Sequence, residues 1–104
     1  MKRSLAWQFK SNIDSRLLVL ESLGLTYEIF DALEQKERGS FGIYVEYGVR
    51  GFYLTAWNPG EVQRSIIDYD ADSLPREKYF PGVEIGWLGM EFERLVDWVR
   101  GRGD

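Results

Sequence analysis

The clearest change in the spacing of hydrophobic residues falls at Ser40. Upstream, Leu5, Trp7 and Phe9 alternate with Ser4, Ala6 and Gln8, a period of two that predicts a short half-buried strand. Ser11-Asn12-Ile13-Asp14 then has the form of a capping box, in which the serine hydroxyl accepts from a free backbone N–H and the acid answers back. A helix is expected to start there, with Ile13, Leu17, Leu20 and Leu23 along its apolar side and Gly24 ending it in the left-handed conformation. Thr26 is placed to cap a second helix. Its apolar positions would be Ile29, Phe30 and Leu33, with Glu28, Asp31, Glu34 and Glu37 on the opposite side. Lys36 and Arg38 would lie near its C-terminus, where cations suit the helix dipole, ahead of Gly39.

From Ser40 the period becomes two, with Phe41, Ile43, Val45 and Tyr47 on one face and Gly42, Tyr44 and Glu46 on the other. Gly48-Val49-Arg50-Gly51 supplies a turn and Phe52 to Trp57 resumes strand composition, which together predict a hairpin. Asn58-Pro59-Gly60-Glu61 is a second turn signal, after which Val62 to Tyr69 should return as a third strand. Residues 70–82 are polar and broken by Pro75, Pro81 and Gly82, so a surface loop is expected, followed by a short strand at Val83–Trp87. Met90, Leu95, Val96 and Val99 predict a last helix from about Gly89 to Arg100. The expected fold class is α+β: N-terminal helices, a central three-stranded antiparallel meander, and a C-terminal helix packed on one face of the sheet.

Composition sharpens this picture. The 104 residues suit one domain, 1–104, and 44% hydrophobic residues supply enough apolar surface for a compact core. There is no cysteine, which removes disulfides, thiol catalysis and zinc–thiolate sites and fits a reducing compartment, so a cytoplasmic location is expected. There is no histidine either, and with it go the commonest general base and the commonest metal ligand. No apolar run is long enough to span a membrane, and the run after Met1-Lys2-Arg3-Ser4 is too short for a signal core. The formal charge of -4 disfavours direct nucleic-acid binding, which depends on cations that neutralise phosphates. That acidity is local: Glu61, Asp68, Asp70 and Asp72 surround the single Arg64.

Few patterns carry chemistry. Asp68-Tyr69-Asp70-Ala71-Asp72-Ser73 matches the first half of an EF-hand calcium loop. The second half fails, because Ser73 stands where the turn needs glycine, Tyr79 where a bidentate glutamate is needed, and Pro75 inside the loop. Gly82, Gly86 and Gly89 lack dinucleotide-fingerprint spacing, and the terminal Arg102-Gly103-Asp104 is a three-residue coincidence. Trp57 beside its turn reads either as an interface anchor or as the edge of the core.

In size, acidity, absence of cysteine and histidine, and aromatics set around acidic stretches such as Trp57-Asn58-Pro59-Gly60-Glu61 and Asp68-Tyr69-Asp70-Ala71-Asp72, the chain resembles immunity proteins of bacterial toxin–immunity systems, including those of contact-dependent growth inhibition. The resemblance implies a cytoplasmic, non-enzymatic protein that neutralises a cognate toxin, often a nuclease, by covering its basic active-site surface. It carries over no catalytic residue, metal ligand or cofactor. The expected partner is a basic protein, and the candidate contacts are Trp57, Glu61, Asp68, Tyr69, Asp70 and Asp72. The alternatives are a small adaptor with a large apolar patch, or a ligand-binding domain with a pocket between sheet and helices lined by Tyr44, Tyr53 or Trp57.

Overall fold

The structure, a computed structural model, describes residues 4–35, 37–71 and 75–101. Its first element, α1 (Leu5–Asp14), is a helix where alternation predicted a strand. Leu5, Ala6, Phe9 and Ile13 are its buried residues, a helical stripe, and Trp7 lies outside it. The cap is Ser4, whose hydroxyl accepts from the Trp7 amide at 3.3 Å, so the predicted cap Ser11 falls in mid-helix. After a break at Ser15 and Arg16, α2 (Leu17–Ser22) buries Leu20 and ends, as expected, at Gly24 with φ +78°.

The predicted second helix is strand β1 (Thr26–Ala32). Ile29 and Leu33 satisfy a helical period, yet Tyr27 and Ile29 also alternate with Thr26, Glu28 and Phe30. Pairing decides between the two: β1 lies antiparallel to β2 (Ser40–Tyr47) from Thr26↔Glu46 to Ala32↔Ser40, a contact invisible to any local window. The four acids assigned to one helix side are thereby scattered. Glu28 and Asp31 occupy opposite faces of a strand, and Glu34 and Glu37 lie in the β1–β2 connection.

The meander of β2, β3 (Arg50–Trp57) and β4 (Glu61–Asp68) matches the expectation, with Gly48 at φ +60° in the first turn and a cis Asn58–Pro59 bond in the second. The expected loop contains β5 (Arg76–Phe80), which pairs with β4 from Val62↔Phe80 to Ile66↔Arg76. Helix α3 (Ile85–Val99) takes in most of the expected Val83–Trp87 strand, because Leu88, Phe92, Leu95, Val96 and Val99 form one continuous buried stripe. The result is α+β with a five-stranded antiparallel sheet in the order β1-β2-β3-β4-β5, two strands more than the expected three-stranded meander, and neither added strand is one of the two short strands expected outside it.

Helices α1 and α3 contact β2, β3 and each other on one side of the sheet. Between the layers Phe9 meets Phe41 and Phe92 at centroid distances of 5.9 and 6.4 Å, and Phe52 meets Phe92 at 6.0 Å, all edge to face. Charged groups also enter this layer, among them Glu91 and its partner Arg64. Glu91 of α3, 9% exposed, accepts from Arg64 of β4 at 2.7 Å and from Arg94 at 2.5 Å. Burial alone would raise the Glu91 carboxyl, but hydrogen bonds and charge from Arg94 and Arg64 outweigh it and hold the pKa below the ordinary value. Among the described residues, no helix is long and apolar enough to cross a membrane.

Candidate functional site: the open face of the sheet

The register shows which side chains share each face. Glu28, Tyr44, Tyr53, Ser65 and Glu77 form one row across all five strands, on the side opposite the helices. The neighbouring rows on that side include Phe30, Thr55, Gln63 and Tyr79 in one direction and Glu46 and Ile67 in the other. Strand charge is unevenly divided between the faces, although the acids Asp31 and Asp68 share the helix side with the cations. The strand cations Arg50, Arg64, Arg76 and Lys78 all occupy helix-side positions, whereas the acids Glu28, Glu46, Glu61 and Glu77 occupy the open side. The open face therefore carries negative charge with no strand cation to offset it.

Glycines allow two close side-chain approaches on this face, one of them by an aromatic ring. A Cβ on Gly51 would meet the Tyr44 hydroxyl oxygen at 2.6 Å, and one on Gly42 would meet Thr55 Oγ1 at 2.5 Å. Tyr44 packs on Tyr53 at 4.5 Å between centroids and Tyr53 on Phe30 at 5.9 Å. Tyr53 remains 39% and Phe30 42% exposed, an aromatic cluster with no covering layer among the described residues. The Tyr44 hydroxyl donates to Glu46. Burial first, then that bond and the neighbouring Tyr69 hydroxyl, push the Tyr44 phenol far above its ordinary pKa, so it stays protonated. A second polar chain crosses the face: Trp57 Nε1 donates to Gln63 Oε1 at 3.2 Å, and Gln63 Nε2 donates to Glu77 Oε1 at 2.8 Å. Beside it lies a hollow of about 500 Å³ lined by Tyr53, Thr55, Ser65, Ile67, Pro75 and Glu77.

A larger open groove, about 1070 Å³, lies at the β1–β2 connection between Trp7 and Trp57. Its cations are already engaged within the chain. Lys10 sits 5.3 Å over the Trp7 ring and pairs with Asp31 at 3.1 Å. Arg38 sits 5.3 Å over the Trp57 ring, donates to the Asn58 carbonyl at 2.7 Å and lies 3.6 Å from Glu61.

The residues expected to form one acidic patch are not brought together. Trp57 and Glu61 are cross-strand partners on the open face at one end of β4, and Asp68 closes the other end, seven residue steps or roughly 23 Å away. Asp68 also faces the helix side, where it lies 3.6 Å from Arg50, and its Oδ1 accepts from the Asp70 amide at 3.1 Å. Tyr69, 61% exposed, begins a short 3-10 turn, Tyr69–Ala71, and comes next to Tyr44. Asp70 is exposed in the same turn, and Asp72 lies outside the described residues, as does Ser73. Among the described residues, no group of three or more acids is placed to hold a metal ion. Of the expected contacts, Trp57, Glu61 and Tyr69 thus join the open face, while Asp68 turns away from it.

Phe30, Glu46 and Glu77 are not among the expected contacts, whereas Tyr53 was expected only as the lining of a pocket and Glu28 only on the acidic side of a helix. Alternation in β2 had already set Tyr44 and Glu46 opposite the apolar face, which was the available signal. Reading β1 as a helix and β5 as a loop removed the strands that carry Glu28 and Glu77. No protein family, curated protein or solved structure matches this chain.

Proposed function

We propose that this chain is a non-enzymatic binding protein that docks a basic protein surface on the open face of its sheet. The observation that carries the proposal is the segregation of charge: four glutamates share a face with exposed aromatics, while the strand cations lie on the other. Acids of this kind speed and orient encounter, and exposed aromatic rings supply the contact that excludes water. The particular role proposed is that of an immunity protein, in which the face covers the basic surface of a cognate toxin, for example a nuclease. Size, acidity and the chain's general resemblance to such proteins support that role.

The test is affinity for the product of the adjacent reading frame, measured by surface plasmon resonance across salt. Complementary charge predicts association that slows steeply as salt rises through about 0.15 M, where screening acts beyond roughly 8 Å. Glu28→Lys combined with Glu46→Lys should weaken binding at least tenfold while the free variant melts within a few degrees of the parent. Binding that resists this change would move the interface to the Asp68–Asp70 end. Absence of binding by the unaltered protein would remove the immunity role.

A further inference from the structure

We propose that the hollow beside β5 is a socket for a single arginine side chain of the basic partner, an inference that rests on the open-face reading above. The hollow combines the three things a guanidinium needs. Tyr53 offers an aromatic face, Glu77 a carboxylate, and Ile67 with Pro75 an apolar wall for the side-chain stem. Glu77 is held ready for this role. The Trp57 to Gln63 to Glu77 chain fixes one carboxylate oxygen, Oε1, and leaves Oε2 for an incoming donor. No cation of this chain pairs with Glu77 among the described residues. The hydroxyls of Thr55 and Ser65 line the same hollow and have no hydrogen-bond partner among the described residues, so both can accept from the outer guanidinium nitrogens. A fixed, charged acceptor beside an aromatic ring favours arginine over lysine, because the planar guanidinium stacks and donates at several points while an ammonium is a compact, strongly hydrated charge.

The larger groove does not compete for this role. Lys10 and Arg38 already occupy positions over Trp7 and Trp57, and Asp31 and Glu61 are already paired with them, so the chain itself supplies the cations there. At the β5 hollow no described residue supplies the equivalent cation, and a partner's side chain takes that place. Of the other open-face acids, Glu46 accepts from Tyr44 and Glu61 faces Arg38, and Glu28 lies on β1, at the opposite edge of the sheet from the hollow.

The probe is the capped tripeptide acetyl-Gly-Arg-Gly-amide, titrated into the full chain and followed by amide and side-chain NMR, with the lysine and citrulline tripeptides as controls. The expected result is saturable shifts confined to Tyr53, Thr55, Ser65, Ile67 and Glu77, several-fold weaker binding of the lysine peptide, and loss of the response with citrulline, which keeps the shape but not the charge. Glu77→Gln should weaken the arginine peptide about tenfold, as loss of one charge-assisted acceptor does, without altering the melting temperature. Gln63→Leu should weaken it less, by freeing the carboxylate. Equal response to lysine and arginine, or a Glu77→Gln variant that binds as well as the parent, overturns the socket. An arginine octapeptide separates the two layers of inference: if it shifts Phe30, Tyr44 and Glu46 but not the hollow, the open-face reading stands and the socket is wrong. If it shifts nothing on the face, both fall.

Discussion

Both faces of the sheet carry aromatic rings, and the two sets of rings differ in what lies over them. On the helix side, Phe41 and Phe52 meet Phe9 and Phe92 edge to face and are almost wholly buried. On the open side, Phe30 and Tyr44 both tilt against Tyr53, with Tyr44 resting over Gly51, and two of the three rings stay more than a third exposed. The difference teaches that aromatic alternation in a strand specifies neither core nor binding surface. The covering helices make one face a core, while the other, which no described helix covers, is a surface with glutamates among its rings.

The largest test of this contrast is a pair of adjacent residues on β3. Phe52→Ala should cost about 3–5 kcal/mol, the usual loss for a buried phenylalanine, whereas Tyr53→Ala should cost about 1 kcal/mol or less. Urea unfolding of both variants reads the difference directly. Equal losses would mean that the open face is packed in solution, contrary to its exposure here.

The second test concerns the charge admitted to the helix side. Glu91→Gln should cost about 1.5–3 kcal/mol, because Arg64 and Arg94 lose an ionised acceptor at a nearly buried site. The pH dependence has a definite sign. The folded-state pKa of Glu91 is depressed, so its contribution is complete above the ordinary carboxylate value and is lost as pH falls through the lower folded value. Asp31, held low by the Leu33 amide and then by Lys10, acts in the same direction. Stability measured from pH 6 down to pH 2 should therefore decline less steeply in Glu91→Gln than in the parent; parallel curves would separate Glu91 from the acid sensitivity.

A smaller effect is expected from Gly51→Ala, whose Cβ would press on the Tyr44 hydroxyl from 2.6 Å. The ring end can yield, so the cost should be about 1 kcal/mol, at the low end for overpacking, accompanied by a changed Tyr44 ring environment in NMR spectra. An unchanged Tyr44 signal would show that the ring does not rest on Gly51. The smallest expected effect is that of calcium, since Asp68 is turned to Arg50 and the acidic turn completes no ligand set among the described residues. Calorimetric titration should give no saturable heat; micromolar binding abolished by Asp70→Asn would reverse that conclusion.

Several features were determined by local sequence. The period of two from Ser40 to Trp57, the glycine turn at Gly48, the Asn58-Pro59-Gly60 turn, the αL stop at Gly24 and the apolar stripe of α3 are each encoded within a few residues, because backbone preference and alternation act over that range. The same local rules misjudged the two edge strands and α1. Thr26–Ala32 fits both periods, and only its ladder with β2 selects the strand. Arg76–Phe80 is mostly exposed, so its polar residues leave no buried face to detect, and its pairing with β4 alone makes it a strand. Leu5, Trp7 and Phe9 alternate in sequence, but Leu5, Ala6, Phe9 and Ile13 are what the sheet buries. The net acidity was legible from composition; its concentration on one face was not. Which acids are neighbours depends on strand order and register, and those follow from pairing between distant segments, whose free energy no short stretch of sequence contains.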